Sequence, residues 1–68
     1  MYNTGEGVII QKECIARKGS STIYEPFYQE SLHEGLELKI IREERNYSLC
    51  NLPNGDNVWL LTEAIRKL

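Results

Sequence analysis

The chain has little of what builds chemistry into a small protein. It has one histidine, His33, and two cysteines, Cys14 and Cys50, which form no CxxC pair. A structural zinc site takes about four such ligands, so neither a metal nor another cofactor is expected. Long apolar runs are missing as well. The longest is Val58-Trp59-Leu60-Leu61, far below the roughly 20 residues a membrane helix needs, which excludes direct insertion by this segment. Positive charge is also short, with eight Lys/Arg against ten Asp/Glu and a net charge of −2. Nucleic-acid binding draws most of its affinity from a basic surface, so no nucleic-acid partner is expected. Residues 1–7 hold neither a basic nor an apolar stretch of the kind a secretion signal requires.

What is present argues for one small folded domain. The 68 residues are 41% hydrophobic and 26% charged, too apolar and too balanced in charge for a disordered chain. A chain of this length buries about 60% of its extended surface, so its core is small and leaves no room for elaborate chemistry. The size fits a binding or spacer module better than an enzyme, with a monomer favoured. Residues 1–7 are expected to be disordered, and the domain to span 8–68.

Along the chain, short extended segments alternate with turn chemistry, and no stretch keeps a helical apolar period. Val8-Ile9-Ile10 reads as a first strand. Cys14 and Ala16 share one face of the next segment, and Lys18-Gly19-Ser20-Ser21-Thr22 is a turn cluster. Residues 23–33 read as an irregular loop pinned by Tyr24, Phe27 and Tyr28 around Pro26. Gly35 marks a turn that needs positive φ. Leu36, Leu38 and Ile40 then alternate with Glu37, Lys39 and Ile41 as a half-buried strand. Arg42-Glu43-Glu44-Arg45-Asn46 reads as a charged reversal, followed by a strand over 47–52 with Ser48, Cys50 and Leu52 on one face. Leu52-Pro53-Asn54-Gly55 is the sharpest local signal. Proline fits the second position of a type I turn and glycine the left-handed residue after it, which predicts a three-residue hairpin loop. A strand over 56–61 follows, then one helical turn from Thr62, with Thr62 as its cap. Short strands with tight turns in so short a chain predict a small antiparallel β-barrel of five or so strands, with a helical turn near the C-terminus.

The order of these motifs resembles the bacterial SH3-like, or SH3b, domains over about residues 8–68. Cys14-Ile15-Ala16-Arg17-Lys18-Gly19-Ser20-Ser21 is similar to the family's first strand end. Leu32-His33-Glu34-Gly35-Leu36-Glu37-Leu38 is similar to its L-x-x-G-x-x-hydrophobic segment. Residues 47–55 follow W-Y-x-V-x-L-x-x-G, with Tyr47 in place of the tryptophan, and 58–65 follow G-W-[IV]-x-x-x-x-[LI], with Val58 in place of the glycine. The spelling Leu32-His33-Glu34-Gly35 resembles the branch at the C-terminus of membrane-anchored tetratricopeptide-repeat proteins of the Bat aerotolerance type.

That resemblance implies an SH3-like barrel cut from a larger, membrane-anchored or periplasmic envelope protein. It implies a non-catalytic role, docking a protein or peptide, with a cell-wall peptide or a ligand-free structural cap as alternatives. The residues at 14 and 50 align with aliphatic core positions, which implies two buried thiols, although two cysteines also allow one disulfide. Trp59 is the candidate ligand platform. Tyr47 shares its surface by alternation, and Tyr24, Phe27 and Tyr28 come from the loop bordering such grooves. Trp59 as a structural wedge is the rival reading. Catalytic use of His33 with a cysteine would need an activated, reachable thiolate, and both cysteines fall on inward faces.

Overall fold

The computed structural model describes residues 5–68. Among the described residues there are seven strands and one 3-10 turn. They are β1 (Gly5–Ile9), β2 (Glu13–Cys14), β3 (Leu32–His33), β4 (Glu37–Glu44), β5 (Tyr47–Asn51), β6 (Asn57–Leu61), the turn Thr62–Ala64, and β7 (Ile65–Lys67). Five strands form one antiparallel sheet in the order β6-β5-β4-β1-β7, and β2 pairs with β3 in a separate ribbon. This is a small, mostly β architecture with a five-stranded antiparallel sheet and a short 3-10 turn near the C-terminus, as expected.

The eight-residue β4 is the strand on which the sheet turns. Its first half pairs with β1, Leu38 opposite Gly7 and Ile40 opposite Gly5. Its second half pairs with β5, Glu44 opposite Tyr47 and Arg42 opposite Leu49. The register shifts between Ile40 and Arg42, and such a bulge bends a strand and raises its twist. One strand can therefore serve both halves of a curved sheet. The charged residues 42–44, expected in a reversal, instead continue the strand. The turn itself is confined to Arg45 and Asn46, with Arg45 at φ 53.

The sheet also begins earlier than expected. Gly5, Glu6 and Gly7 pair with Ile40, Lys39 and Leu38 rather than lying outside the domain; the rest of that N-terminal expectation falls outside the described residues. Gly7 has a packing reason. A Cβ there would stand 2.8 Å from the Ile65 side chain and 3.2 Å from the Arg66 carbonyl oxygen.

Alternation decides what is inside. Leu38 and Ile40 from β4, Cys50 from β5, and Val58 and Leu60 from β6 converge with Ile9, Cys14, Ala16, Leu52 and Ala64. Several of these side chains are small because the faces of so tightly curved a sheet lie close together. The predicted hairpin after β5 is present. The Gly55 N–H donates to the Leu52 carbonyl at 2.9 Å, the Leu52 N–H donates to that of Asp56 at 2.9 Å, and Gly55 has φ 94.

Thr62 does not cap the helical turn. Leu61 holds the N-cap position and no side chain bonds there. The Thr62 hydroxyl instead meets the fully buried Ser48 hydroxyl at 2.8 Å, and the Thr62 N–H donates to the Asn46 carbonyl at 2.8 Å. The pair fastens the 3-10 turn to β5. Ser48→Ala strands the Thr62 hydroxyl and should cost about 1–2 kcal/mol in urea unfolding. In a double-mutant cycle, Thr62→Val should cost much less once Ser48 is alanine. An unchanged cost would return Thr62 to a local capping role.

Candidate functional site

The excursion between β1 and β4, residues 10–36, builds the surface features. Its path is set by Arg17, which makes two isolated antiparallel bridges, one to Trp59 of β6 and one to Pro26. Arg17 and Trp59 exchange backbone N–H···O bonds of 2.9 Å in both directions. On the other side, the Phe27 N–H donates to the Ala16 carbonyl at 2.6 Å and the Lys18 N–H to that of Glu25 at 3.0 Å. The excursion therefore covers the free edge of β6, the kind of edge that otherwise recruits other chains. It also places Tyr28 beside the Pro53 hairpin.

There lies an open cleft of about 570 Å³, between residues 28–32 and the hairpin. Leu32, Leu36 and Leu52 give it an apolar floor, and Tyr28 and Pro53 give it walls. Its polar end is a small network. The Tyr28 hydroxyl donates to Asp56 Oδ2 at 2.5 Å and accepts from Asn54 Nδ2 at 3.1 Å, while Asn54 Oδ1 accepts from the Asp56 N–H at 3.0 Å. The Tyr28 phenol is pushed above its ordinary pKa, first by desolvation and then by the Asp56 carboxylate that accepts its proton's bond. Phe27 stands edge-on to Tyr28, with centroids 4.9 Å apart and planes at 66°.

The five aromatics expected to form one ligand surface do not come together. Only Tyr28 lines the cleft, with Phe27 against it. Tyr47 lies on the Trp59 side of the β5–β6 ladder, as alternation requires, but it is buried at 8% exposure. It lines a smaller hollow of about 200 Å³ with Ile15, Arg17, Thr22 and Leu61, so its ring is closed in rather than offered to a groove. Trp59 is half-buried between Arg17 and Leu49, and the Arg42 guanidinium carbon lies 5.6 Å from its ring centroid. A cation–π contact of this kind contributes about 0.5–1 kcal/mol at an exposed site, and it gives the indole a partner from its own chain. Tyr24 is exposed. Its ring lies where any side chain at Gly19 would collide with it, and its carbonyl accepts from Arg17 at 2.9 Å.

Leu36, Pro53 and Asn54 line the cleft and Asp56 bonds Tyr28 beside it, yet none of the four stands out in the sequence as a site residue. Pro53 and Asn54 were visible there as turn formers. Nothing in the sequence showed that the turn would face Tyr28, more than twenty positions away.

The cysteines are both buried and both free thiols. Burial raises the pKa of Cys14, and burial with the nearby Cys14 and Glu43 pushes Cys50 up to about 12. The Cys50 thiol donates weakly to the Ser48 carbonyl at 3.6 Å. His33 pairs with Glu13 on β2, one register step from Cys14, and is exposed. Among the described residues no group of three or more His, Cys, Asp or Glu could hold a metal ion, and no helix is long and apolar enough to cross a membrane.

Fold and cleft together define a small all-β domain with an apolar trough beside a proline hairpin. Compared with known proteins, the chain matches no family model, and no curated protein or solved structure matches it.

Two outcomes follow from the titratable groups. Because the Tyr28 pKa is raised by folding, its contribution to stability is complete below the ordinary phenol value of about 10 and is lost as pH rises through the folded value. Tyr28→Phe should lower stability by about 1 kcal/mol at neutral pH. That deficit should shrink above pH of about 10 in melts of the two proteins side by side. The thiols should resist iodoacetamide in the folded protein at pH of about 8 and react once it is unfolded in urea. Rapid labelling of folded protein would show that one of them is reachable.

Proposed function

We propose that this chain is a non-catalytic interaction domain that takes an extended segment of a partner protein into the cleft beside Pro53. The observation that carries this is the cleft itself. Its aliphatic floor, aromatic and proline walls and single cluster of hydrogen-bonding groups are what a pocket needs to hold a side chain and fix its orientation. An extended peptide loses little conformational freedom on entering such a trough. The non-catalytic part rests on the thiols. Burial favours their protonated form, and a nucleophile needs the opposite. The setting in an envelope protein with tetratricopeptide repeats belongs to the same proposal and is supported by the spelling Leu32-His33-Glu34-Gly35.

Peptide titration of ¹⁵N-labelled protein tests the site, using proline-rich peptides and peptidoglycan stem peptides. Amide shifts should cluster at Tyr28, Leu32, Leu36 and Asn54, and Leu36→Gln should remove them while the spectrum stays dispersed. Shifts gathered at Trp59 and Leu49 would move the site to the outer face of the sheet. If no peptide moves a resonance, the barrel is a structural cap.

A further inference from the structure

Two further hollows adjoin the cleft. Leu52 and Pro53 also wall a second hollow, of about 220 Å³, which runs on to Glu6, Glu37 and Lys39. In the other direction, residues 28–31 are shared with a third hollow of about 100 Å³ that reaches Ile15 and Pro26. Each of these two hollows thus shares wall residues with the cleft, and we treat the three together as one trough.

The charges along this trough have mostly one sign. Glu30 lines its middle and Asp56 stands at the Tyr28 network. Glu6 and Glu37 lie at the far end, where Lys39 is the cation among the lining residues. Elsewhere on the surface, Glu13, Glu34 and Glu63 make no ion pair among the described residues, while three acids do. Glu25 is 4.0 Å from Lys18, Glu44 is 2.9 Å from Arg42, and Glu43 is 3.3 Å from Lys67. Glu6, Glu30 and Glu37 make no ion pair among the described residues. Carboxylates of one sign along a low-dielectric floor focus their field into the trough and raise the local concentration of cations.

We infer that the partner segment is basic. It is an extended peptide whose apolar side chain rests on Leu32, Leu36 and Leu52, while flanking lysines or arginines lie towards Glu30 on one side and towards Glu6 and Glu37 on the other. This rests on the cleft being the binding site. It adds the chemical class of the occupant, which the apolar floor alone does not specify. Charge complementarity acts mainly on specificity and on the rate of encounter, so the preference is sensitive to salt.

Three capped peptides with the same leucine-centred sequence, flanked by lysine, glutamine or glutamate, separate these levels. Affinities come from NMR titration of the described domain at about 50 mM and about 300 mM salt, where the Debye length falls well below its value of about 10 Å at 0.1 M. The lysine peptide should bind roughly tenfold tighter than the glutamine peptide at low salt and lose most of that margin at high salt. The glutamate peptide should bind more weakly than both. The double variant Glu30→Gln/Glu37→Gln should bring the lysine peptide to the affinity of the glutamine peptide, whereas Glu25→Gln should leave it unchanged. Equal affinities for all three peptides, with shifts still in the cleft, would overturn the basic partner and leave the cleft standing. No shift in the cleft with any of them would overturn both.

Discussion

Arg17 and Trp59 hold each other through two backbone hydrogen bonds, and that exchange pins the middle of the 10–36 excursion to the sheet. The excursion shares the core of the sheet through Cys14 and Ala16. Its polar backbone must find partners at the edge of something already folded. The edge of β6 supplies them, and Arg17 passes the pairing on to Pro26. From there Tyr28 is only two positions along, and its hydroxyl meets Asp56 and Asn54 on the hairpin that follows β5. The cleft is thus a by-product of edge protection. The excursion that hides one sheet edge leaves a trough between itself and the next hairpin.

The same constraint explains the small residues of the core. Ala16, which follows Cys14 on the inner face, lies one position before the Arg17 bridge, so the excursion approaches the sheet closely at that point. Cys50 and Ser48 face the interior from β5, and Ala64 from the 3-10 turn. Larger side chains at these places would force the bulged β4 and its partners apart, and overpacking of this kind costs about 1–3 kcal/mol. The cysteines serve here as small hydrophobes whose burial also suppresses their reactivity. The Ser48–Thr62 hydroxyl pair is the exception to the apolar rule. It is tolerated because each hydroxyl satisfies the other.

Local chemistry in the sequence was legible where a single segment decides the outcome. Alternation over 36–41 and 47–52 identified the buried faces, and the proline-asparagine-glycine hairpin was recognisable from its residues alone. Features set by pairing at a distance were not. The run 42–46 looks like a loop by charge, yet as far as Glu44 it continues a strand because β5 pairs with it, leaving those side chains half-buried or exposed to carry ion pairs. Thr62 looks like a cap by position, yet its hydroxyl faces Ser48, whose proximity only the β5–β6 register creates. Gly5 and Gly7 look like a flexible leader, yet absence of a side chain is what admits β1 between β4 and β7 at Gly7.

The candidate site moved for a related reason. A tryptophan in an alternating strand draws attention because its surface is large, and sequence alone cannot say whether that surface is already taken. Here β6 lies between β5 and the Arg17 segment, so Trp59 falls in a transverse row with Pro26, Arg17, Leu49 and Arg42, one residue from each neighbouring segment. The guanidinium of Arg42 sits over the indole and at the same time reaches Glu44 at 2.9 Å. A ligand stacking there would first have to displace a contact that the fold itself provides. No such competitor fills the trough beside Pro53. Its aliphatic floor is left open because the groups around it are spent on one another, Tyr28 on Asp56 and Asn54, and Pro53 on the turn. Vacancy beside a fixed polar network, rather than aromatic surface area, sets the trough beside Pro53 apart from the Trp59 face, which the fold itself occupies.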